Sequence, residues 1–589
     1  MASVGHTPAH GDSPGHRRMF TFDRPRRKRG DTHPQFPPRV PAPRPSADTA
    51  RLTLGAPHLH MAVQAKASIM AANDRAQDDR NDPREPPRHA GRARLAMISG
   101  LLDRLEHRPR AGFAAFALLH AVLWTALPSA FYPNLPLDLI EALTYGREWQ
   151  LGYDKLPPLP WWLIEIAYRL VGVDAVYYLI AQVTVLAALA LVWVLARRLV
   201  GTAGALAAVL IVDGLHYFNF TAPKFNHDVI QLPFWALAGL AFHGALRGGR
   251  LRDWCLLGLA GGLALWAKYF VVVLAAPLAL FLLFDRDARP ALRTPGPYVA
   301  VAVALVVALP HLVWLIQNDF LPFKYAEARA APVRGLLDHL IHPLAFLVGQ
   351  IFWLLPSGLI ALPLVQPRAP AAPTTIAAFD RRIVTLLAFG PAALLIAGAV
   401  ISGRGLITMW GYPLWLFLGL WVVITIGPAL ARARLSRIAL AWSIVTALYA
   451  VAFVVQYGAL PFFDHRYRAS LFPGDRLGAE ISTRFRAETG QPLAYVIGSM
   501  WLGGNISRYS AERPRTLIDG KPERTPWIDL ADLRRRGAVV IWSDGDRGRV
   551  PESYAPLAPD AEVQPPLTLP MRWGNGEMTF GWAIVRPKS

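Results

Sequence analysis

Residues 138–162 read DLIEALTYGREWQLGYDKLPPLPWW, and they carry an unusual concentration of groups that can do chemistry. Asp138 and Glu141 are three apart and share one face if the segment is helical. A second short stretch, APKFNHDVIQLP at 222–233, adds Lys224, Asn226, His227 and Asp228. A lone Lys268 interrupts the apolar run 254–284. Carboxylates at the end of an apolar segment suit general-base work on an acceptor hydroxyl or amine, and ammonium groups suit a departing phosphate. For Glu141, Glu148 and Asp154 the plainer reading, solvated loop carboxylates, stays open. Asp138 and Asp228 abut apolar runs, which favours a role in a site. His227 beside Asp228 raises a divalent cation, but no second histidine stands at ligand spacing, so neither a metal nor a cofactor is expected. An unpaired ammonium inside an apolar run is costly, so Lys268 requires a partner, either a phosphate or a carboxylate such as Asp138.

These residues need elements to hold them, and composition says what kind. With 53% apolar residues, 19 tryptophans and only 17% charged residues in 589, the chain reads as a polytopic membrane protein. The single cysteine, Cys255, excludes an internal disulfide and a cysteine metal cluster. The net charge of +20 does not point to nucleic acid: residues 1–110 hold 20 Lys and Arg against 11 Asp and Glu, and most other arginines flank apolar runs. Apolar runs long enough to cross a bilayer lie near 111–131, 172–196, 203–222, 229–246, 297–317, 340–364, 383–401, 410–428 and 438–458. The run 254–284 is too long for one crossing and has basic residues at both ends, so it should form a short helical hairpin with Lys268 near its outer tip, giving about 11 spans.

Basic residues stay cytoplasmic, so Arg197 and Arg198, 247–252, 286–293, Arg381 and Arg382, and 431–437 form one cytoplasmic set. Loops 132–171, 223–228, 318–339 and 402–409, with the tail from about 460, then face outward. Residues 1–108 lack apolar periodicity and are expected to be a disordered basic segment with RPRRKRG at 24–30; no signal-peptide pattern is seen, and Met61 or Met97 is the expected start. Residues 109–459 form the membrane domain. Residues 460–589 read as a small extracytoplasmic α/β domain, with strands in PLAYVIGS, GAVVIWSD and TFGWAIVR and a helix in GDRLGAEISTRFRAETG. Its lack of a glycine-rich phosphate loop favours a structural or acceptor-gating role.

The chain resembles the polytopic GT-C glycosyltransferases of family 39, the group of protein O-mannosyltransferases, aminoarabinose transferases and Rgt-type lipopolysaccharide enzymes. Their first outer loop reads like D-E-A-Y-Y-W followed by G-Y-F-D-H-P-P-L; here Asp138 and GYDKLPPLPWW at 152–162 take those places. NHDVIQLPFWAL, 226–237, is similar to T-P-D-A-P-L-L-L-F-W-A-L and aligns Asp228 with its aspartate. GLALWAKYFVVVL, 262–274, sets Lys268 and Tyr269 on a Lys-Tyr pair, and PHLVWLIQNDFLPFKYA, 310–326, resembles the next outer loop. The likeness spans roughly 112–335. It departs where Leu139 replaces the second acidic residue, with Glu141 nearby, and where Leu156 precedes the proline pair, with Lys155 one place away.

The resemblance implies an inverting transfer of sugar from a polyprenyl-phosphate donor to an envelope acceptor (lipopolysaccharide, another glycan or a protein) on the outer face of a bacterial inner membrane. It implies Asp138 as base, Asp228 as an orienting carboxylate, Glu141 and Tyr269 at the substrate, and Lys155, Lys268 and Arg404 on the phosphate. Trp161, Trp162, Trp410 and Tyr153 are candidate sugar platforms or membrane anchors. A transporter or flippase of lipid-linked sugars would instead place charges within the spans, and a membrane scaffold would use the tail as its interaction domain.

Overall fold

The computed structural model describes residues 107–329, 333–365, 376–464, 466–574 and 576–588. The leading segment and its basic run at 24–30 lie outside the described residues, apart from His107 and Arg108. In the rest, a bundle of apolar helices carries a small sheet domain at the end of the chain.

Among the described residues, seven helices are long and apolar enough to cross a membrane, by length and composition: Pro109–Phe131, Asp174–Asp213, His227–Gly248, Gly296–Gln317, Asp338–Leu364, Ala378–Ser402 and Leu435–Phe462. Helices dominate because in lipid a backbone must satisfy its own hydrogen bonds. A straight helix of 40 residues would reach about 60 Å, twice the hydrocarbon thickness. Asp174–Asp213 does not run straight: it breaks at Gly201, whose φ of 71° a side chain would resist, so the expected run 172–196 falls in its first arm, and the run 203–222 is helical only as far as Asp213, its last residues forming turns. Shorter helices, Leu251–Ala267 and Val272–Phe284, flank an extended Lys268 and a 3-10 turn, Tyr269–Val271.

The ends of this broken pair are fixed by charge. Asp380, at the start of Ala378–Ser402, meets His243 at 2.9 Å and Arg247 at 3.2 Å, both near the end of His227–Gly248. Arg382 meets Asp285, just past Phe284, at 2.7 Å. Leu251 follows Gly248 after a left-handed Gly249. Both ends of the broken pair therefore sit together, and Lys268 lies at its turn.

One polar cluster sits inside the spans themselves. His120 meets Asp213 and Gln182, each at 3.1 Å, and Trp442 donates to Asp213 at 2.7 Å. Its members come from three of the long helices, and His120, Gln182 and Asp213 are almost wholly buried. The sequence analysis passed over Asp213. Enclosure and pairing make the cluster a pin between helices.

In the tail, β1 (Tyr495–Gly498), β2 (Arg515–Ile518), β3 (Ala538–Trp542), β4 (Glu562–Val563), β5 (Leu567–Pro570) and β6 (Glu577–Val585) form a mixed sheet in the order β2-β1-β3-β6-β4, with β5 also on β6. β1 is parallel to both β2 and β3, and β3 pairs antiparallel with β6 in the register Ile541↔Trp582. The parallel strands are buried on both faces, which explains their continuous apolar composition. Helices Met500–Tyr509 and Leu530–Arg536 make the crossovers, capped by Ser499 and Asp529, and Gly474–Thr489 is the helix expected from its periodicity. The tail shares one apolar core with the bundle, in which Phe472, Leu477 and Val496 join Trp124 and Phe453.

Candidate active site

The first loop begins with a helix, Leu137–Gly146, entered through Pro136 with Asp138 in its first turn, where the exposed amide ends favour a carboxylate. Glu141 lies one turn on. The chain then doubles back: Tyr153 donates to the carbonyl of Tyr145 at 2.7 Å, and its hydroxyl accepts from the amide of Gln150 at 3.1 Å. That fold returns Lys155 to Glu141, with Nζ 2.6 Å from Oε1 and 2.9 Å from Oε2. Glu141 is 5% exposed, so the solvated-loop reading fails for it, as it does for Asp154 at 4%. Burial holds the Glu141 carboxyl above the usual range, opposed by the Lys155 ammonium. Burial pulls Lys155 down, but Glu141 outweighs it and keeps the ammonium above the ordinary lysine range.

The second loop is organised by Asn226. Its side-chain oxygen accepts from the amides of Asp228 at 2.9 Å and Val229 at 3.2 Å, capping His227–Gly248. Those two bonds fix which end of the amide is oxygen, so Nδ2 must be the atom that donates to Asp138 Oδ2, 2.8 Å away. Asn226 therefore joins the two loops and leaves the other oxygen of Asp138 free to take a proton. Asp228, from the same first turn, accepts from Lys268 Nζ at 2.5 Å and from Gln231 at 3.1 Å. The partner of Lys268 is thus a carboxylate, but Asp228 rather than Asp138.

These groups line one cavity of about 380 Å³ with Trp161, Asn226, His227, Tyr269, Tyr325 and Trp410, walled by Phe270, Val273, Ile407 and Met409. Tyr269 reaches His311 at 3.0 Å, and His311 in turn meets the carbonyl of Leu151 at 2.6 Å, tying the Lys268 turn to the first loop. Tyr325, in the short helix Leu321–Arg329, sets its ring 5.4 Å from Lys155 Nζ. Arg404 is not in this lining; it faces solvent and meets Glu327 at 3.4 Å. Trp162 packs on Trp266 and Tyr153 is bonded beneath the loop, so of the four candidate platforms Trp161 and Trp410 face the cavity. His227 turns Nε2 onto the carbonyl of Pro157 at 2.9 Å, and among the described residues no group of three His, Cys, Asp or Glu side chains is placed to hold a metal. The sequence reading did not pick out Asn226 as a bridge, nor Tyr325 and His311; a helix-cap asparagine one residue before His227 was the available signal for the first.

Arranged this way, the cavity offers a carboxylate with a free oxygen, two ammonium groups that could share a phosphate with their carboxylates, and apolar walls for a lipid. Residues 155–314 match the family described as dolichyl-phosphate-mannose-protein mannosyltransferase. The chain is 32% identical over 224 residues to the lipid A galacturonosyltransferase RgtD of Rhizobium johnstonii, covering 37% of this chain and 46% of that protein. To the lipopolysaccharide core galacturonosyltransferase RgtB of the same organism it is 30% identical over 223 residues, covering 37% and 45%. The chain thus spans about half the length of the curated relatives it matches. The fold is similar to that of ArnT from Cupriavidus metallidurans bound to undecaprenyl phosphate, with a TM-score of 0.53 at 16% identity over 81% of this chain and 99% of that one. The apo form of that protein gives a TM-score of 0.51. The likeness in fold therefore extends across the bundle and the tail, well beyond the segment matched by the family.

Proposed function

We propose that this protein is a glycosyltransferase that moves a sugar from a polyprenyl-phosphate carrier to an acceptor of the cell envelope, with inversion, at the outer face of a bacterial inner membrane. The observation that carries this reading is the cavity itself, in which Asp138, Asp228, Glu141, Lys155 and Lys268 converge beside apolar walls. The acceptor hydroxyl or amine gives its proton to Asp138 as its oxygen or nitrogen attacks the anomeric carbon. The bond from that carbon to the phosphate oxygen breaks, and its electron pair leaves with the polyprenyl phosphate. Lys155 and Lys268 offset the charge gathering there, worth several kcal/mol in a site with little water. Asp228 orients Lys268, Glu141 orients Lys155, and Tyr269 closes the donor side; Arg404 can reach a phosphate only by leaving Glu327. The division into a membrane domain, 109–459, and an outward tail, 460–589, belongs to the same proposal, with the cavity and tail periplasmic. The relatives' names make a galacturonosyl group the first donor sugar to test and lipid A or the core the first acceptors.

The test is purified protein with polyprenyl-phosphate galacturonic acid and lipopolysaccharide, followed by mass spectrometry of the acceptor. Gain of one hexuronic acid supports the reading. Movement of the donor across a vesicle without transfer would replace it with the alternative, a transporter or flippase of lipid-linked sugars.

A further inference from the structure

Lys155 and Trp161 reach the cavity from a loop that is itself held from behind, and the hold comes from the tail. Asp154, next to Lys155, has both carboxylate oxygens engaged: Oδ1 accepts from Tyr145 at 2.9 Å, and Oδ2 accepts from Arg524 Nε at 2.7 Å. A second nitrogen of Arg524 pairs with Asp519, and a third lies 3.5 Å from the Tyr145 hydroxyl. The Tyr145 ring stacks on Trp161 with centroids 4.3 Å apart and planes 9° from parallel, and Trp161 meets His227 edge-on at 4.7 Å. Tyr145, Asp154 and Trp161 are all buried. Arg524 thus stands one side chain away from a cavity wall while belonging to the loop after β2.

The backbone around this contact is unusual as well. Asp519, Arg513 and Trp149 are left-handed without being glycine, with φ of 53°, 48° and 51°. Arg513 and Asp519 lie where the first loop meets the tail, paired with Glu165 and Arg524, and such conformations persist only where the surroundings enforce them. Gly504 completes the fit, since a Cβ there would stand 2.5 Å from Thr144 Oγ1 on the helix that carries Asp138 and Glu141.

We infer that Arg524 is a positioning residue for transfer: by holding Asp154 and Tyr145 it sets Lys155 and Trp161 in the cavity, so the tail is a working part of the active site. This rests on the reading given under Proposed function. A single misplacement of about 1 Å in a reacting constellation can cost up to a hundredfold, which makes such a residue detectable without touching substrate.

The experiment compares Arg524→Ala and Arg524→Lys with Arg508→Ala, which loses the pairing with Asp174 in the same contact region but not the link to Tyr145. The expected result for Arg524→Ala is a loss in kcat of about tenfold or more with acceptor KM little changed, normal size-exclusion behaviour, and partial recovery in Arg524→Lys, which keeps the charge but not the fork. Combined with Lys155→Met, Arg524→Ala should add less than about twofold, because both act through one group. An independent readout is acylation of Lys155 by an amine reagent, followed by peptide mass spectrometry. Lys155 should react roughly fivefold faster in Arg524→Ala and no faster in Arg508→Ala, as local opening frees it from Glu141. Additive losses in the double variant, or unchanged Lys155 reactivity, would overturn the inference. If the unmodified protein transfers no sugar, the proposed function falls, while the acylation comparison still decides whether Arg524 positions Lys155.

Discussion

The two loops that meet at the cavity have two charged faces, and they are built from different cations. Toward the cavity, Glu141 and Asp228 are paired with lysines. Toward the tail, the carboxylates are paired with arginines, two of them in two-pronged contacts: Glu148 with Arg515 at 3.2 and 2.5 Å, and Glu165 with Arg513 at 3.2 and 2.9 Å. Asp154 and Asp174 meet Arg524 and Arg508 at 2.7 Å. A guanidinium locks a carboxylate in a planar fork, whereas an ammonium is a point charge on a flexible stem that can trade one oxygen for another. The arginine face is a fastening, and the lysine face can hand its charge to a phosphate. Only 8 of the chain's 61 basic residues are lysine, yet two of them line the cavity and, among the described residues, no arginine does.

Breaking the cavity pairs tests this contrast most severely. Lys268→Met leaves Asp228 buried without its cation and is expected to cost about 3–5 kcal/mol of stability, read as loss of detergent-extracted protein and a lower Tm. Adding Asp228→Asn should restore much of the protein but not the activity. Full recovery of transfer in that double variant would show the pair to be structural and erase the distinction between the two faces.

Asp138→Asn keeps the bond from Asn226 within reach of a carbonyl oxygen but removes the proton acceptor, so transfer should fall about a hundredfold while donor binding survives. Glu141→Gln should act differently, modestly lowering donor KM by removing the carboxylate that competes with the phosphate for Lys155. If kcat collapses in Glu141→Gln and Asp138→Asn is nearly normal, the base lies one helical turn from where it is assigned.

On the arginine face, Arg513→Ala leaves Glu165 with Arg169 alone, at 2.8 Å, so a loss of roughly 1–3 kcal/mol is expected. It should appear as faster proteolysis of the tail while the helical bundle stays intact. Equal destabilisation of both regions would mean that the contact fastens the whole bundle.

The mildest expected effect is on pH. Burial holds Glu141 above the usual carboxylate range, so as pH falls it takes up its proton before exposed carboxylates do. Its ionised form costs folding stability, which is greatest below the unfolded value and declines as pH rises through the folded one. Lys155 stays charged and loses its competitor, so donor KM should fall modestly as pH is lowered through the Glu141 titration and become flat in Glu141→Gln. A KM that rises over that titration would mean that the Glu141 carboxylate itself helps to bind the donor.

Much of this protein was written in its sequence. Long apolar runs had to become helices because lipid offers no partner for a backbone, and a lysine within one such run had to mark a break. The strands around Val496, Val540 and Ala583 announced themselves by apolar runs bounded by Gly, Asp and Pro, since local hydrophobic pattern is all that a strand requires. Asp138, Asp228 and Lys268 could be picked out because each stands in or beside apolar sequence that a lone charge would not occupy without reason, Glu141 by its place one turn from Asp138, and Lys155 and Tyr269 by the likeness of their segments to family 39.

What the chain could not disclose alone was pairing. Asn226 reaches Asp138 across 88 residues, Lys268 reaches Asp228 across 40, and Arg524 reaches Asp154 across 370. No local periodicity encodes such contacts, because Coulomb energy and hydrogen bonding depend on distance in space and on burial, and both exist only after the helices and the tail have packed. The same physics turned Glu148 and Asp154 from plausible surface charges into buried fastenings, and left Arg404 at the rim with Glu327. Sequence determined which residues had to be explained; the tertiary fold decided which of them face the cavity.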